Sequence, residues 1–169
     1  YKQKYFIQGS LRRDGLSSLP QANKFGVFPG ASIGWTVSKE NFIQGLENVV
    51  SDFKIRGSYG KVGNTEIGNY PYFGLYGSAQ YGNNNGIAYV QFGNNNLLWE
   101  TSEKIDIGAD LSLFQNKFSL AFDYFRNTTD DLILALETPQ SFGIPSNSYD
   151  TNIGKVENTG IELGLNYKT

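Results

Sequence analysis

The chain has 169 residues, 39% hydrophobic, 15% aromatic and 18% charged, which is enough apolar material for one ordinary domain and too much for a disordered tail. Its 14 Lys and Arg against 16 Asp and Glu leave a formal charge of −2, so there is no basic field to grip a phosphate backbone and nucleic acid is not an expected partner. With no His, Cys or Met, the usual zinc and haem ligands, thiol chemistry, disulfides and imidazole bases are all excluded; neither an enzyme nor a metal or cofactor is expected.

Twenty glycines, about 12% of the chain against a usual ~7%, with many Asn and few strong helix formers, predict an all-β protein. The chain opens at Tyr1 without the basic and apolar regions of a signal peptide, and no run approaches the roughly 18 apolar residues of a transmembrane helix. The first strand pattern is weak: Tyr5, Ile7 and Leu11 face one way and Lys4, Gln8, Ser10 and Arg12 the other, the period of two that a strand imposes. Asp14 to Asn23 is a polar loop. From Phe25 to Ser38 one face carries Phe25, Val27, Pro29, Ala31, Ile33, Trp35 and Val37, while the other is mostly small or polar. Ser38 to Ser51 reads as a turn with a short helical piece and Ser38 as its N-cap.

Alternation resumes with Phe53, Ile55, Gly57 and Tyr59 against Asp52, Lys54, Arg56 and Ser58. Residues 64–97 form a Gly/Asn-rich excursion, in which Phe73, Leu75, Tyr81, Ile87, Tyr89 and Phe92 predict an extra hairpin turning at Asn83-Asn84-Asn85. From Trp99 to Leu113 the apolar face reads Trp99, Thr101, Glu103, Ile105, Ile107, Ala109, Leu111 and Leu113, and the other face carries Glu100, Lys104, Asp106 and Asp110. A turn at Phe114-Gln115-Asn116-Lys117 leads into Phe118, Leu120, Phe122 and Tyr124, which completes a hairpin. Glu137 to Asp150 is a second long loop, holding Pro139 and Pro145. The last pattern, Ile161, Leu163, Leu165 and Tyr167, stops while still alternating; with the missing Met, this reads as an interior piece of a longer polypeptide.

Alternation alone fits a soluble sandwich with an inward apolar face or a membrane barrel with an outward one. Strand length favours the barrel, since membrane strands need about 9–11 residues and soluble strands cluster near 5–6. Threaded up and down, the six strands put the long connections (14–23, 64–97, 137–150) at one end and the shorter ones (38–51, 114–117) at the other, as in bacterial barrels with long extracellular loops. Tyr5, Trp35, Phe53, Phe118 and Tyr167 then stand at the short-turn end of the apolar face, where an aromatic girdle belongs.

Seven segments, in order, carry a resemblance: Arg12-Arg13-Asp14-Gly15, Phe25-Gly26-Val27-Phe28-Pro29, Gly34-Trp35, Tyr59-Gly60-Lys61-Val62-Gly63-Asn64, Leu98-Trp99-Glu100-Thr101, Asp123-Tyr124-Phe125 and the run from Gly154 to Glu162 with Asn158 and Gly160. Together they resemble the SusC/RagA-type TonB-dependent transporters of Bacteroidetes. The resemblance implies an outer-membrane barrel of about 22 strands with a plugged lumen, of which residues 1–169 are an incomplete part of one domain; the plug and the C-terminal strands lie outside it. It also implies import of oligosaccharides or peptides, a SusD-like surface lipoprotein as partner, and energy from TonB-ExbB-ExbD through the absent N-terminal part. A soluble glycan-binding β-sandwich, or a passive outer-membrane porin or adhesin, are the alternatives.

Candidate substrate or partner contacts are the loop aromatics Tyr70, Tyr72, Tyr76, Tyr81, Tyr89 and Phe92, whose faces stack on rings and whose polar tips bond hydroxyls. The motif residues Arg13, Asp14, Gly15, Phe28, Pro29, Trp35, Gly63, Asn64, Trp99, Glu100, Asn158, Gly160 and Glu162 are given structural roles. Asp130-Asp131 is not an acid/base pair, because neighbours in a strand point to opposite faces. Asn83-Asn84-Asn85 lacks a calcium-loop spacing and is read as a turn.

Overall fold

In the computed structural model, residues 1–43, 45–64, 66–143 and 147–168 are described; Pro145 of the second long loop lies outside them. The six predicted strands are β1 (Tyr5–Gly15), β2 (Phe25–Thr36), β3 (Val50–Asn64), β6 (Glu100–Leu113), β7 (Phe118–Asp130) and β10 (Lys155–Tyr167). They form one antiparallel sheet in the order β1-β2-β3-β6-β7-β10. Neighbours in the sheet are neighbours in the chain once two inserted hairpins are set aside, so the connections alternate between the two ends of the sheet. The sheet does not close, and no α-helix occurs among the described residues.

The inserted hairpins are β4 (Leu75–Tyr81) with β5 (Asn84–Gln91), and β8 (Ile133–Glu137) with β9 (Ser148–Asn152). The first was expected, but its turn is Gly82-Asn83, with Gly82 at φ +60°, and Asn84 and Asn85 already belong to β5. The second corrects the reading of 137–150 as a plain loop. Its strands have five residues each, too few for an alternation to stand out from composition.

A second correction concerns Ser38. The segment after β2 makes two 3₁₀ turns, Val37–Lys39 and Asn41–Ile43, rather than an α-helical piece, and the residue that precedes the first turn is Thr36. Ser38 lies inside that turn and its hydroxyl donates to Asp52 Oδ1 at 2.8 Å. The link between two adjacent antiparallel strands needs to cover only one strand spacing, and such short turns suffice.

The outward apolar face follows the register. Tyr5, Trp35, Ile55, Ala109, Phe122 and Leu163 stand in one row across the sheet. Phe53 is two residues below that row on β3, and Phe118 and Tyr167 pair with each other four residues below it. The five aromatics therefore descend as a staircase, as a ring perpendicular to a barrel axis must when the strands tilt and stagger. On the same face β6 presents Ile105 and Ile107 above the top of that staircase and Ala109, Leu111 and Leu113 level with its steps, with Ile107 and Leu163 more than half exposed on this open sheet. The band ends at an ion-paired border: Lys61 to Glu103 at 2.9 Å, Arg126 to Glu157 at 2.6 Å and Lys155 to Asp130 at 3.0 Å. Nine residues from Ile105 to Leu113 match the depth of hydrocarbon that a tilted strand crosses in about 9–11 residues.

Candidate functional site

Where the long connections gather, a small core closes the end of the sheet. Leu19, Phe28, Leu97 and Trp99 are buried together, with Leu16, Ile67, Tyr72 and Ile133 packed around them. This corrects the placing of Trp99 on the apolar strand face: β6 starts one residue later, at Glu100, and the indole packs edge-on against Phe28 with ring centroids 5.3 Å apart. Phe28 comes from the mostly polar face of β2, yet it is only 4% exposed. The room exists because the β2–β3 ladder stops at Gly30 and Gly60, and because Gly63 has no side chain where Phe28 and Trp99 crowd its backbone.

Other motif residues fasten this end. Arg12 pairs with Asp14 at 2.7 Å, and Arg13 lies over the Phe25 ring at 4.4 Å. Glu100 accepts from Asn64 Nδ2 at 2.8 Å and from the Ile133 amide at 3.1 Å, so one carboxylate ties β3 to the start of β8. Asp130 pairs with Lys155 at 3.0 Å, and Asp131 follows it with a left-handed backbone at φ +57°.

The six loop aromatics divide into groups. Tyr76 and Tyr89 stand opposite each other on the β4–β5 hairpin, their rings 4.2 Å apart, and a hydrogen bond between the two phenols raises the Tyr76 hydroxyl above its usual range. Phe92 follows at 6.1 Å from Tyr89, and Tyr149 of β9 follows Phe92 at 5.5 Å. Tyr70 and Tyr72 form a separate cluster with Phe73, and Tyr72 also packs on the small core. Tyr81 lies near the hairpin tip, 86% exposed. Sequence reasoning missed Tyr149, because the five-residue strand that holds it has no pattern of its own.

Amide side chains lock the two hairpins side by side. Asn94 Nδ2 donates to the Asp150 carbonyl at 2.9 Å; Asn152 accepts from the Leu98 amide at 2.8 Å and donates to the carbonyls of Leu98 and Asp131. Gln91 donates to the carbonyls of Tyr70 and Phe73, both at 3.0 Å, which fixes the foot of the first hairpin.

On the inward face of the six-stranded sheet, Arg56 of β3 sits among three carboxylates. Its guanidinium is 3.2 Å from Asp106, 3.2 Å from Asp110 and 2.5 Å from Asp123, the last a charge contact rather than an aligned hydrogen bond. Glu162 stands opposite Asp123, and Gly160 stands opposite Phe125, whose ring lies over it. The face is polar and charged, and it needs water or a polar filling against it.

The barrel-like register, the nine-residue outward band and a polar inward face call for a comparison with known barrels. Residues 2–168 match the family model described as TonB dependent receptor-like, beta-barrel. The chain belongs to that family. It is 38% identical over 170 residues to TonB-dependent receptor P3 of Formosa agariphila, covering 98% of this chain and 17% of the relative. It is 32% identical over 179 residues to TonB-dependent receptor SusC of Bacteroides thetaiotaomicron, again covering 98% of this chain and 17% of the relative. Among solved structures, the RagAB peptide importer in its closed-closed state superposes with a TM-score of 0.86 at 30% identity, over 96% of this chain and 18% of that one. The siderophore receptor PirA of Pseudomonas aeruginosa, at 20% identity and a TM-score of 0.61, shares the fold. The resemblance to SusC/RagA-type receptors therefore holds, and the chain spans about a sixth of the curated relatives it matches.

Proposed function

We propose that this chain is part of a SusC-like, TonB-dependent outer-membrane importer of oligosaccharides or peptides. Residues 1–169 supply six barrel strands of an incomplete domain, and 64–97 is an extracellular excursion. The observation that supports this best is the outward band on β6, bordered at the loop end by the ion pairs of Lys61, Arg126 and Lys155 and flanked towards the short-turn end by the aromatic staircase on the neighbouring strands. A soluble sandwich would need a second sheet over Ile107 and Leu163, whereas lipid covers such a band with no further protein.

In this reading Tyr5, Trp35, Phe53, Phe118 and Tyr167 are the periplasmic girdle, and the three long connections face outside. A SusD-like lipoprotein closes over the loop aromatics, the plug fills the lumen against Arg56 and its carboxylates, and TonB-ExbB-ExbD acts through the N-terminal part. The chemistry is non-covalent: capture, enclosure and release.

The test uses the full-length gene in its native host. Deletion should abolish uptake of one class of oligosaccharide or peptide, complementation should restore it only in a strain with intact TonB, and the receptor should co-purify with a surface lipoprotein. Uptake that survives loss of TonB would leave the passive porin as the better reading.

A further inference from the structure

The two inserted hairpins, not the first alone, make a ligand surface. We propose that Tyr76, Tyr89, Phe92 and Tyr149 form one stacking row across both hairpins, and that it receives uncharged oligosaccharide chains and disfavours anionic ones. This rests on the importer reading above and specifies its ligand.

The row is continuous. Successive ring centroids lie 4.2, 6.1 and 5.5 Å apart, and Tyr76, Tyr89 and Phe92 are 60%, 39% and 38% exposed. It is also held in place: Asn94 and Asn152 bind the second hairpin to the end of the first excursion, and Gln91 pins the base of the first. Rings fixed by hydrogen bonds at their feet lose little freedom when a ligand arrives, which is what makes a pre-organised platform. Tyr149 is half-buried, so it backs the row while Tyr76, Tyr89 and Phe92 present its open faces.

Charge selects among ligands. From Ile67 to Leu98 there is no Asp, Glu, Lys or Arg, and from Leu132 to Gly154 the only charged residues are Glu137 and Asp150. Neither hairpin offers a cation to a sulfate, a uronate or a peptide carboxylate, and the two charges present would repel them. On the same face as Tyr76 and Tyr89 stand Ser78, Gln80 and Asn85, with the exposed Ile87 opposite Ser78; the three polar groups both donate and accept, and Ile87 adds an apolar contact. Apolar rings flanked by such groups match a sugar chain, which presents C–H faces and hydroxyl edges and carries no charge.

The experiment uses the full-length receptor with its partner lipoprotein, in detergent, and calorimetry against three probe sets: neutral gluco-, manno- and xylo-hexasaccharides; oligogalacturonate and sulfated galactan oligosaccharides; and mixed short peptides. At least one neutral hexasaccharide should bind, with an affinity that changes less than about twofold as salt is raised, because no ion pair is screened. Tyr76→Ala with Tyr89→Ala should weaken it by roughly tenfold or more, while Tyr76→Phe with Tyr89→Phe, which keeps the rings, should stay within about threefold. Binding confined to the anionic or peptide probes, binding to none, or indifference to loss of the two rings would each overturn the proposal. TonB-dependent uptake of a uronate or peptide would do so while leaving the importer reading intact; only uptake without TonB would remove that reading.

Discussion

The Arg56 guanidinium on β3 reaches across β6 to Asp123 on β7, 2.5 Å away. It can do so because the residue between them in the register is Gly108, where an added Cβ would lie 2.7 Å from Arg56 Cζ. One arginine thus spans two strand spacings and draws three carboxylates together. Gly108→Val should push the guanidinium off this path and cost about 1–3 kcal/mol through overpacking and separated charges. Gly60→Ala, on the same face with open space around it, is the control. Melting of the full-length receptor in detergent compares the two, and equal melting temperatures would contradict the bridging role.

Phe125 and Gly160 form a similar pair on β7 and β10. A Cβ on Gly160 would lie 2.5 Å from Phe125 Cζ, so the ring covers the glycine's backbone as a neighbouring side chain otherwise would. Gly160→Ala and Phe125→Ala should each destabilise, and the double variant should recover part of the loss from Gly160→Ala, since the clash has gone. A coupling of about 0.5–3 kcal/mol in the cycle is expected for residues in contact; strict additivity would mean the two act independently.

The outward band predicts a depth dependence. Ile107→Arg places a charge in mid-band and should cost about 2–4 kcal/mol, whereas Thr159→Arg, next to the ion-paired border, should cost about 0–1. Folding yield of the full-length barrel into lipid vesicles reads the difference. Equal yields would argue that this face meets water or protein, not lipid.

At the short-turn end, Glu40 accepts hydrogen bonds from the Tyr5 hydroxyl at 2.5 Å, Lys4 Nζ at 3.0 Å and the Trp35 indole at 3.1 Å. These donors, with Tyr5 the largest influence and then Lys4 and Trp35, hold its carboxyl at about 2, below the ordinary 4.5. A carboxyl lowered by folding stabilises the fold above its unfolded value and loses that contribution as pH falls through the folded one. Between about pH 4.5 and 2, the wild-type melting temperature should therefore drop more than that of Glu40→Gln. Parallel curves for the two would show that these donors do not stabilise the anion.

The six long strands were legible because their period of two persists over 11 to 15 residues, and a one-residue slip would exchange lipid and lumen faces throughout. The aromatic positions Tyr5, Trp35, Phe53, Phe118 and Tyr167 could also be picked out, since each stands at a strand end on the apolar face. The β8–β9 hairpin could not, and with it Tyr149, because five residues carry too little periodicity. Trp99 was misplaced for another reason: alternation describes a flat ladder, and Trp99 precedes β6 and turns into the core between loops, where it meets Phe28 from the predicted polar face of β2.

By itself, then, the sequence determined the class, the strands, the alternating faces and, through ordered motifs, the family, since all of these are local patterns or their succession. Only the tertiary structure decided which rings meet and which charges pair. Tyr149 reaches Phe92, and Arg56 reaches Asp123, across stretches of chain whose separation no local period encodes; sheet register and two docked hairpins bring them together.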